Sequence, residues 1–295
     1  MRFVIAGASG FLGTHLTDHL RDRGHDVTRL VRRAPEAPDE SEWHPERGEV
    51  DADLVAAADV VANLAGSPTV GNPHSSRWAT ELRDSRVTTT RLLAETVAAT
   101  GGPALLAGNA IAWYGDHGDD PVTEESDSRG DALLTRVTRE WQAAAEPAVE
   151  AGARVCVLRT SPVMDRTSPP LKQLRLLFGA GLGARLGDGH QRMPMISLRD
   201  WLGAVTHLAD HADASGPFNL VCPRPPTNAE FTKALGRALH RPTLLAVPGQ
   251  VIRLGAGAAA PDLLGSVDAR PAALLASGYQ FSDADVDEVL AAGLR

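Results

Sequence analysis

The feature that most constrains this chain is its opening stretch, Met1 to Gly13. Arg2 to Ala6 is a short apolar run of strand character that leads directly into Gly7, Ala8, Ser9, Gly10, Phe11, Leu12 and Gly13. A helical pattern follows, with Leu12, Leu16 and Leu20 on one face. Strand, glycine turn and helix in that order make a phosphate-binding entry to an α/β sheet. Gly7 lets the chain leave the strand sharply, Gly10 lets backbone approach a pyrophosphate, and Gly13 lets the helix pack close to the sheet. The free N–H groups and partial positive charge of the helix N-terminus would meet the phosphates.

The alternation of strand and helix then continues. After a helix ending at Gly24, Asp26 to Val31 reads as a second strand, with Arg32 and Arg33 at its end. A carboxylate at that place would hold a bare ribose 2′-hydroxyl, whereas an arginine suits a 2′-phosphate. No Asp or Glu occurs between Val27 and Pro35, so NADP(H) is expected over NAD(H). Pro35 to Glu49 is a polar loop with Trp43 in a brief edge strand, and Asp51 to Ala58 a short helix. Val60 to Leu64 makes the next buried strand, opening into Ala65-Gly66-Ser67-Pro68, where small residues let backbone lie against a cofactor. A long loop carries Pro73 and Trp78, and Glu81 to Thr100 is a sustained helix. Strand Ala104 to Ala107 delivers Asn109, Trp113 and Tyr114 to the carboxyl edge of the sheet, where open α/β sheets bind ligands. An acidic loop from Asp116 to Gly130, a helix from Ala132 to Glu150 and a strand from Arg154 to Arg159 follow.

From Thr160 the pattern changes: Pro162, Pro169 and Pro170 interrupt it, Leu171 to Phe178 is a short helix, and Gly179 to Gly189 is glycine-rich. Arg192 to Ser197 reads as a strand, Arg199 to His211 as a helix, and Phe218 to Cys222 returns as a strand. Thr227 to Leu239 is a helix, Leu244 to Val247 a strand, and the tail is mostly helical. The expected architecture is α/β: a doubly wound parallel sheet from residues 1–159 plus 198–222, with a smaller substrate-side α/β subdomain from 160–197 plus 223–295.

Composition narrows the function classes. A net charge of −8 with no basic stripe makes a poor nucleic-acid binder. No apolar run reaches membrane-span length, and the first residues start a strand at once, so a cytoplasmic protein with a small-molecule substrate is expected. Cys156 and Cys222 lie in apolar strand-like runs and read as buried free thiols. His207 and His211 stand at helical i, i+4 spacing, but with no adjacent glutamate or third ligand they read as a helix surface, and no metal is expected. The helices 81–100 and 132–150 would either form a homodimer face or simply cover the sheet.

The glycine turn, Asn63-Leu64-Ala65-Gly66, and Arg83-Asp84-Ser85-Arg86 with Thr89-Thr90-Arg91-Leu92-Leu93 resemble the extended short-chain dehydrogenase/reductase superfamily. More narrowly, with Trp113-Tyr114-Gly115, Leu158-Arg159-Thr160, Ala238-Leu239-His240-Arg241-Pro242 and Gly278-Tyr279-Gln280-Phe281, the chain is similar to its atypical "epimerase family" branch, which carries a C-terminal domain of unknown function. The resemblance implies a Rossmann fold, NADP(H) binding and a substrate cleft under the C-terminal part. The expected cofactor contacts are Gly7, Ser9, Gly10, Phe11, Leu12, Gly13, Arg32, Arg33, Leu64, Ala65, Gly66, Arg86 and Pro162.

Orthodox members of that superfamily use a Tyr-x-x-x-Lys pair for the proton that accompanies hydride transfer. Here the two tyrosines, Tyr114 and Tyr279, are followed four residues on by Gly118 and Asp283, and the two lysines, Lys172 and Lys233, are preceded by Ser168 and Ala229. The pair therefore exists nowhere in the chain, and Leu133 and Val137 stand on the helix where it belongs. The superfamily's serine is replaced by Asn109 or Ala110. Asn109 could hydrogen-bond a substrate carbonyl, or satisfy a strand-end carbonyl instead; Tyr114 could donate a proton, or pack with its hydroxyl satisfied. Trp113, Met164 and Met193 could line an apolar substrate pocket, although methionines and tryptophans at such spacing also build cores; His190 and Arg192 could reach an anionic substrate or lie on a solvated loop. Three functions remain: an NADP(H)-dependent oxidoreductase acting on a modest-sized, partly apolar carbonyl, imine or enone; a non-catalytic NADP(H)-binding sensor or docking protein; and a nucleotide-sugar epimerase, which the missing base disfavours.

Overall fold

A computed structural model of the chain describes residues 1–69, 71–72, 74–257 and 260–295. Pro73, assigned above to a long loop, lies outside the described residues. The central sheet has seven strands: β1 (Arg2–Ala6), β2 (Asp26–Val31), β3 (Glu40–Glu42), β4 (Val60–Asn63), β5 (Ala104–Ala110), β7 (Val155–Thr160) and β11 (Gly216–Leu220), the intervening numbers belonging to short strands given below. Their order is β11-β7-β5-β4-β1-β2-β3. The pairings β1–β2, β1–β4, β4–β5 and β2–β3 are parallel, with Phe3 opposite both Val27 and Val60. Parallel strands covered on both faces must be apolar on both faces, and Phe3, Val4, Ile5 and Ala6 are all buried. The order reverses between β1 and β4, which places a ligand crevice at the carboxyl ends of these two strands.

The chain divides into two compact units. The first contains Met1–Asn109, Val137–Leu158 and Val205–Pro217; the second contains Ala110–Arg136, Arg159–Ala204 and Phe218–Arg295. The segment 110–136, grouped above with the nucleotide-binding half, thus belongs to the second unit. Its Tyr114 explains why: the hydroxyl is tied to Asn219 and Arg159 of that same unit.

In the first unit, helices α1 (Phe11–Asp22), α2 (Ala52–Ala57) and α3 (Ser76–Thr100) accompany the strands. Asp51 caps α2 through the Leu54 N–H, and Ser75 caps α3 through the Trp78 N–H. That cap starts α3 five residues ahead of the expected Glu81. The expected helix 132–150 is two: α4 (Leu133–Ala143) and α5 (Glu146–Glu150). Pro147, in the first turn of α5, cannot donate to a continuous helix and forces the break. Leu30, Trp43, Val61, Leu93, Val97 and Leu105 form the centre of the core.

The second unit is built from short elements: strands β6 (Pro121–Val122), β8 (Val163–Met164), β9 (Ala184–Leu186), β10 (Ile196–Ser197), β12 (Leu245–Val247) and β13 (Asp268–Ala269). They pair in parallel as β10–β8, β12–β9 and β13–β6. The helices are α6 (Pro169–Gly179), α7 (Leu198–Asp210, whose last residues belong to the first unit), α8 (Asn228–Ala238), α9 (Gly249–Ala256), α10 (Ala260–Leu264), α11 (Ala272–Ala276) and α12 (Val286–Gly293). Helix α8 opens on a capping box: the Thr227 hydroxyl accepts from the Glu230 N–H while the Glu230 carboxylate accepts from the Thr227 N–H. It closes with His240 at φ 53°, where the His240 and Arg241 N–H groups donate to Arg237 and Gly236. The core joins Leu171, Phe178, Met195, Phe231, Leu235 and Leu290. No described helix is long and apolar enough to cross a membrane.

Candidate functional site

The glycine turn is built as its spacing requires. Gly7 takes φ +79°, and a Cβ there would lie 2.6 Å from the carbonyl of Leu64, so β1 exits directly against the end of β4. A Cβ on Gly13 would stand 2.1 Å from the Gly7 oxygen, so α1 reaches its distance from the turn only with glycine at that position. Gly10 differs: its Cβ would meet only the Gly7 oxygen, at 3.3 Å, and its outer side is open. Gly10 caps α1 without a side-chain hydrogen bond, and the first turn holds no acidic residue. The Thr14 N–H is bonded to the Gly10 carbonyl, which leaves the earlier amides of Phe11, Leu12 and Gly13 as the donors a helix start offers to a ligand.

This helix start borders a cavity of about 860 Å³ lined by Gly7, Ser9, Gly10, Arg32, Arg33, Leu64, Ala65 and Gly66, among others. Eight of the thirteen expected cofactor contacts therefore surround one space. Phe11, Leu12 and Gly13 lie in the adjoining helical turn. Arg86 does not line the cavity. It is half-buried and holds the wall from behind, donating to the Ser67 carbonyl at 3.1 Å and the Leu82 carbonyl at 2.9 Å, with its guanidinium 5.1 Å from the Trp141 ring centroid. Burial, with no carboxylate in ion-pair range among the described residues, brings its pKa down to about 10. Pro162 belongs to the second unit, is exposed, and offers its carbonyl to Ile196.

The wall from Ala65 to Ser67 is fixed by a buried network. The Asn63 side chain accepts from the Ala65 N–H at 3.1 Å and donates to the Thr90 hydroxyl at 2.8 Å, which also accepts from the Trp141 indole N–H at 2.8 Å. The Ser85 hydroxyl accepts from the Ser67 N–H at 3.0 Å. The arginines of β2 and just past its end are met by acids from β3, from Asp39 just before it and from the turn after it. Arg33 makes a bidentate pair with Glu40, both contacts at 2.9 Å, and Arg29 pairs with Asp39 and Glu40. These contacts hold Asp39 down at about 2 and Glu40 below the usual carboxylate range, chiefly through hydrogen bonds from Arg29 and Arg33 respectively. Arg32 meets Glu46 at 3.4 Å. Glu40 and Glu46 lie in the stretch expected to be a polar loop, where the strand alternation around Glu40–Glu42 was the signal for β3.

In the second unit, Tyr114 is fully buried, donates to the Asn219 side-chain oxygen at 2.9 Å and accepts from Arg159 at 2.8 Å. Burial raises its pKa despite the Arg159 charge. With its proton committed to Asn219, Tyr114 is placed as an internal strut, and the expected proton-donor role loses its geometric basis. Arg159 lies 3.5 Å from the Trp113 ring centroid, so Trp113 covers this polar cluster. Met164 is sealed in the core beside Leu171 and Phe178, a correction to its expected place in a substrate pocket; Met193 is partly buried against the same core. Asn109, in the first unit, is buried and donates to the Thr138 carbonyl at 3.1 Å. Cys156 and Cys222 are buried free thiols, pushed up by burial to about 11 and about 12. The His207 and His211 rings stack at 3.8 Å, and the described residues contain no group of three or more metal-ligating side chains.

A glycine turn that needs its glycines, an uncapped helix start and a cavity at the reversal of strand order define a nucleotide-binding α/β protein. The chain belongs to the NAD dependent epimerase/dehydratase family, which it matches over residues 3–222; residues 247–292 match a domain of unknown function. Its relatives are epimerase family proteins of the atypical short-chain type. Epimerase family protein MT2273 of Mycobacterium tuberculosis is 42% identical over 288 residues, covering 97% of this chain and 95% of the relative. The crystal structure of human epimerase family protein SDR39U1 with NADPH aligns with a TM-score of 0.86 at 31% identity over 98% of both chains. The nucleoside-diphosphate sugar epimerase from Corynebacterium glutamicum aligns at 0.81 and 33% identity over all of this chain and 58% of that one.

Proposed function

We propose that this protein is an NADP(H)-dependent oxidoreductase that acts on a small, partly apolar carbonyl, imine or enone without a Tyr-x-x-x-Lys pair. The observation that carries the reading is the open amide end of α1 beside a cavity whose other side holds Arg32. When bound, the dinucleotide would supply the hydride. The chain's own part is to seat it: the amides of Phe11, Leu12 and Gly13 neutralise diphosphate charge, the 63–67 wall supports the nucleoside, and Arg32 pairs with a 2′-phosphate. The human relative's NADPH supports this choice of nucleotide. Asn109, buried and donating to the Thr138 carbonyl, is a structural residue in this reading, and the proton would come from water or the substrate. The same reading places the protein in the cytoplasm, with a small molecule as its partner and a homodimer as an oligomeric form to be checked by light scattering.

A turnover panel of carbonyls, imines and enones with NADPH, read at the reduced-nicotinamide absorbance and confirmed by single-turnover kinetics, tests the proposal. One observation favours the second reading, a non-catalytic NADP(H) sensor: the Tyr114 hydroxyl is spent inside the fold. Tight NADPH binding with no oxidation by any member of the panel would decide for the sensor. A sugar-nucleotide epimerase activity is the weakest reading, since it needs a base and no tyrosine–lysine pair exists to supply one.

A further inference from the structure

The three arginines bordering the cavity differ in their freedom to take a new partner. Arg33 is bidentate on Glu40, also donates to the Ala34 carbonyl at 2.9 Å, and lies 3.6 Å from Glu36. Arg29 is held on Asp39 by two hydrogen bonds, of 2.9 and 3.1 Å, and contacts Glu40 at 3.1 Å. Glu40 cannot swing away: its side chain is 3% exposed and it also accepts the Glu36 N–H at 2.8 Å. Withdrawing Arg33 would strand that covered carboxylate and break two charge-assisted bonds. Arg32 is different. Its one ion pair among the described residues, with Glu46, is 3.4 Å long, and the two side chains are 50% and 66% exposed. An exposed pair of that kind holds its members weakly.

Glu46 reaches this place from a single 3-10 turn, Pro45–Arg47, and lines the same cavity as Arg32. A carboxylate there has two consequences of opposite sign. It repels a phosphate dianion brought to Arg32, and it offers an acceptor to a ribose 2′-hydroxyl. Resting on the NADP(H) reading above, we propose that Glu46 is the residue that sets the balance between the two nicotinamide dinucleotides: it is the displaceable counter-ion of Arg32, yields Arg32 to a 2′-phosphate, and in doing so caps the preference for NADPH. Arg33 and Glu40 form a fixed pair that shapes the wall and does not discriminate.

The test is equilibrium titration of NADPH and NADH, followed by nicotinamide fluorescence, against the parent chain and Glu46→Gln, Arg32→Ala and Arg33→Ala variants at matched ionic strength. Glu46→Gln is expected to tighten NADPH by about three- to fivefold, the worth of one exposed charge contact, while leaving NADH unchanged or weaker. Arg32→Ala is expected to weaken NADPH at least tenfold, the scale of a lost charge-assisted hydrogen bond, and to spare NADH. Arg33→Ala should weaken both alike. A Glu46→Gln variant whose NADPH-to-NADH ratio equals the parent's overturns the proposal, as does a ratio that collapses in Arg33→Ala but not in Arg32→Ala. A parent chain that binds neither dinucleotide overturns the NADP(H) reading itself, a result distinguishable from both.

Discussion

Replacing Gly10 and Gly13 by alanine in turn separates what the opening turn does for the fold from what it does for a ligand. At Gly13 the new Cβ would sit 2.1 Å from the Gly7 oxygen and 2.7 Å from the Ala8 Cα. A carbon–oxygen contact needs about 3.3 Å, so backbone must move by about 1 Å, and overpacking of that kind costs about 2–4 kcal/mol, the upper part reflecting that both atoms are main chain. Alanine in place of glycine within a helix returns about 1 kcal/mol, leaving a net loss of about 1–3 kcal/mol. For a chain of this size that lowers Tm by roughly 2–10 °C. At Gly10 the nearest atom is 3.3 Å away and φ is −77°, which alanine adopts freely. The expected cost is the poorer cap, about 0.5–1 kcal/mol, or roughly 3 °C and less. Its methyl group would project to the open side where phosphate is to lie, so NADPH affinity should fall by at least tenfold, about 1.4 kcal/mol. Calorimetry and fluorescence titration of the two variants read both quantities. A Gly10→Ala protein that binds NADPH as the parent does refutes the assignment of this turn to a pyrophosphate, whatever Gly13→Ala does to stability.

Burial raises Asp262, in α10, to about 6, while one of its oxygens finds no partner among the described residues and the Leu134 N–H opposes the shift. Its folded pKa exceeds the unfolded value, so the folded state holds the extra proton between about pH 4 and 6 and stability falls as pH rises through that window. Asp262→Asn should accordingly gain up to about 2 kcal/mol over the parent at pH 7.5 and nothing at pH 3.5, as read by urea unfolding at the two pH values; an equal difference at both would refute the assignment. Tyr114→Phe should cost about 1–3 kcal/mol by leaving the Asn219 oxygen unpaired, with NADPH affinity unchanged; a loss of turnover at unaltered Tm would instead restore the tyrosine as a proton donor. Cys156, at about 11, has roughly one thiolate in a thousand at pH 8, and Cys222, at about 12, fewer. Both should resist a chromogenic disulfide reagent until denaturant is added, and rapid labelling of the native protein would show that the burial is wrong.

The strands of the sheet were legible because each parallel strand is a local apolar run, and the opening turn because its glycines are required by contacts only a few residues apart. Its end points were less so: Asn109 lies inside β5 and not beyond it, since the strand runs on to Ala110. What escaped was set by distance along the chain. Nothing near Tyr114 announces that Asn219, 105 residues later, takes its hydroxyl. Met164 illustrates the same limit from the other side. A strand-end methionine is compatible with a pocket or a core, and only the arrival of Leu171 and Phe178 decides for the core.

The interleaving of the two units has a consequence for how the protein is made. The first unit is finished by Val205–Pro217, and the second, begun at Ala110, waits for the segment that ends at Arg295. The second unit is thus begun before the first is complete, so the two cannot be finished strictly one after the other along the chain. Cutting the gene after residue 222, where the recognised family region stops, would keep every segment of the first unit and strip the second of residues 223–295.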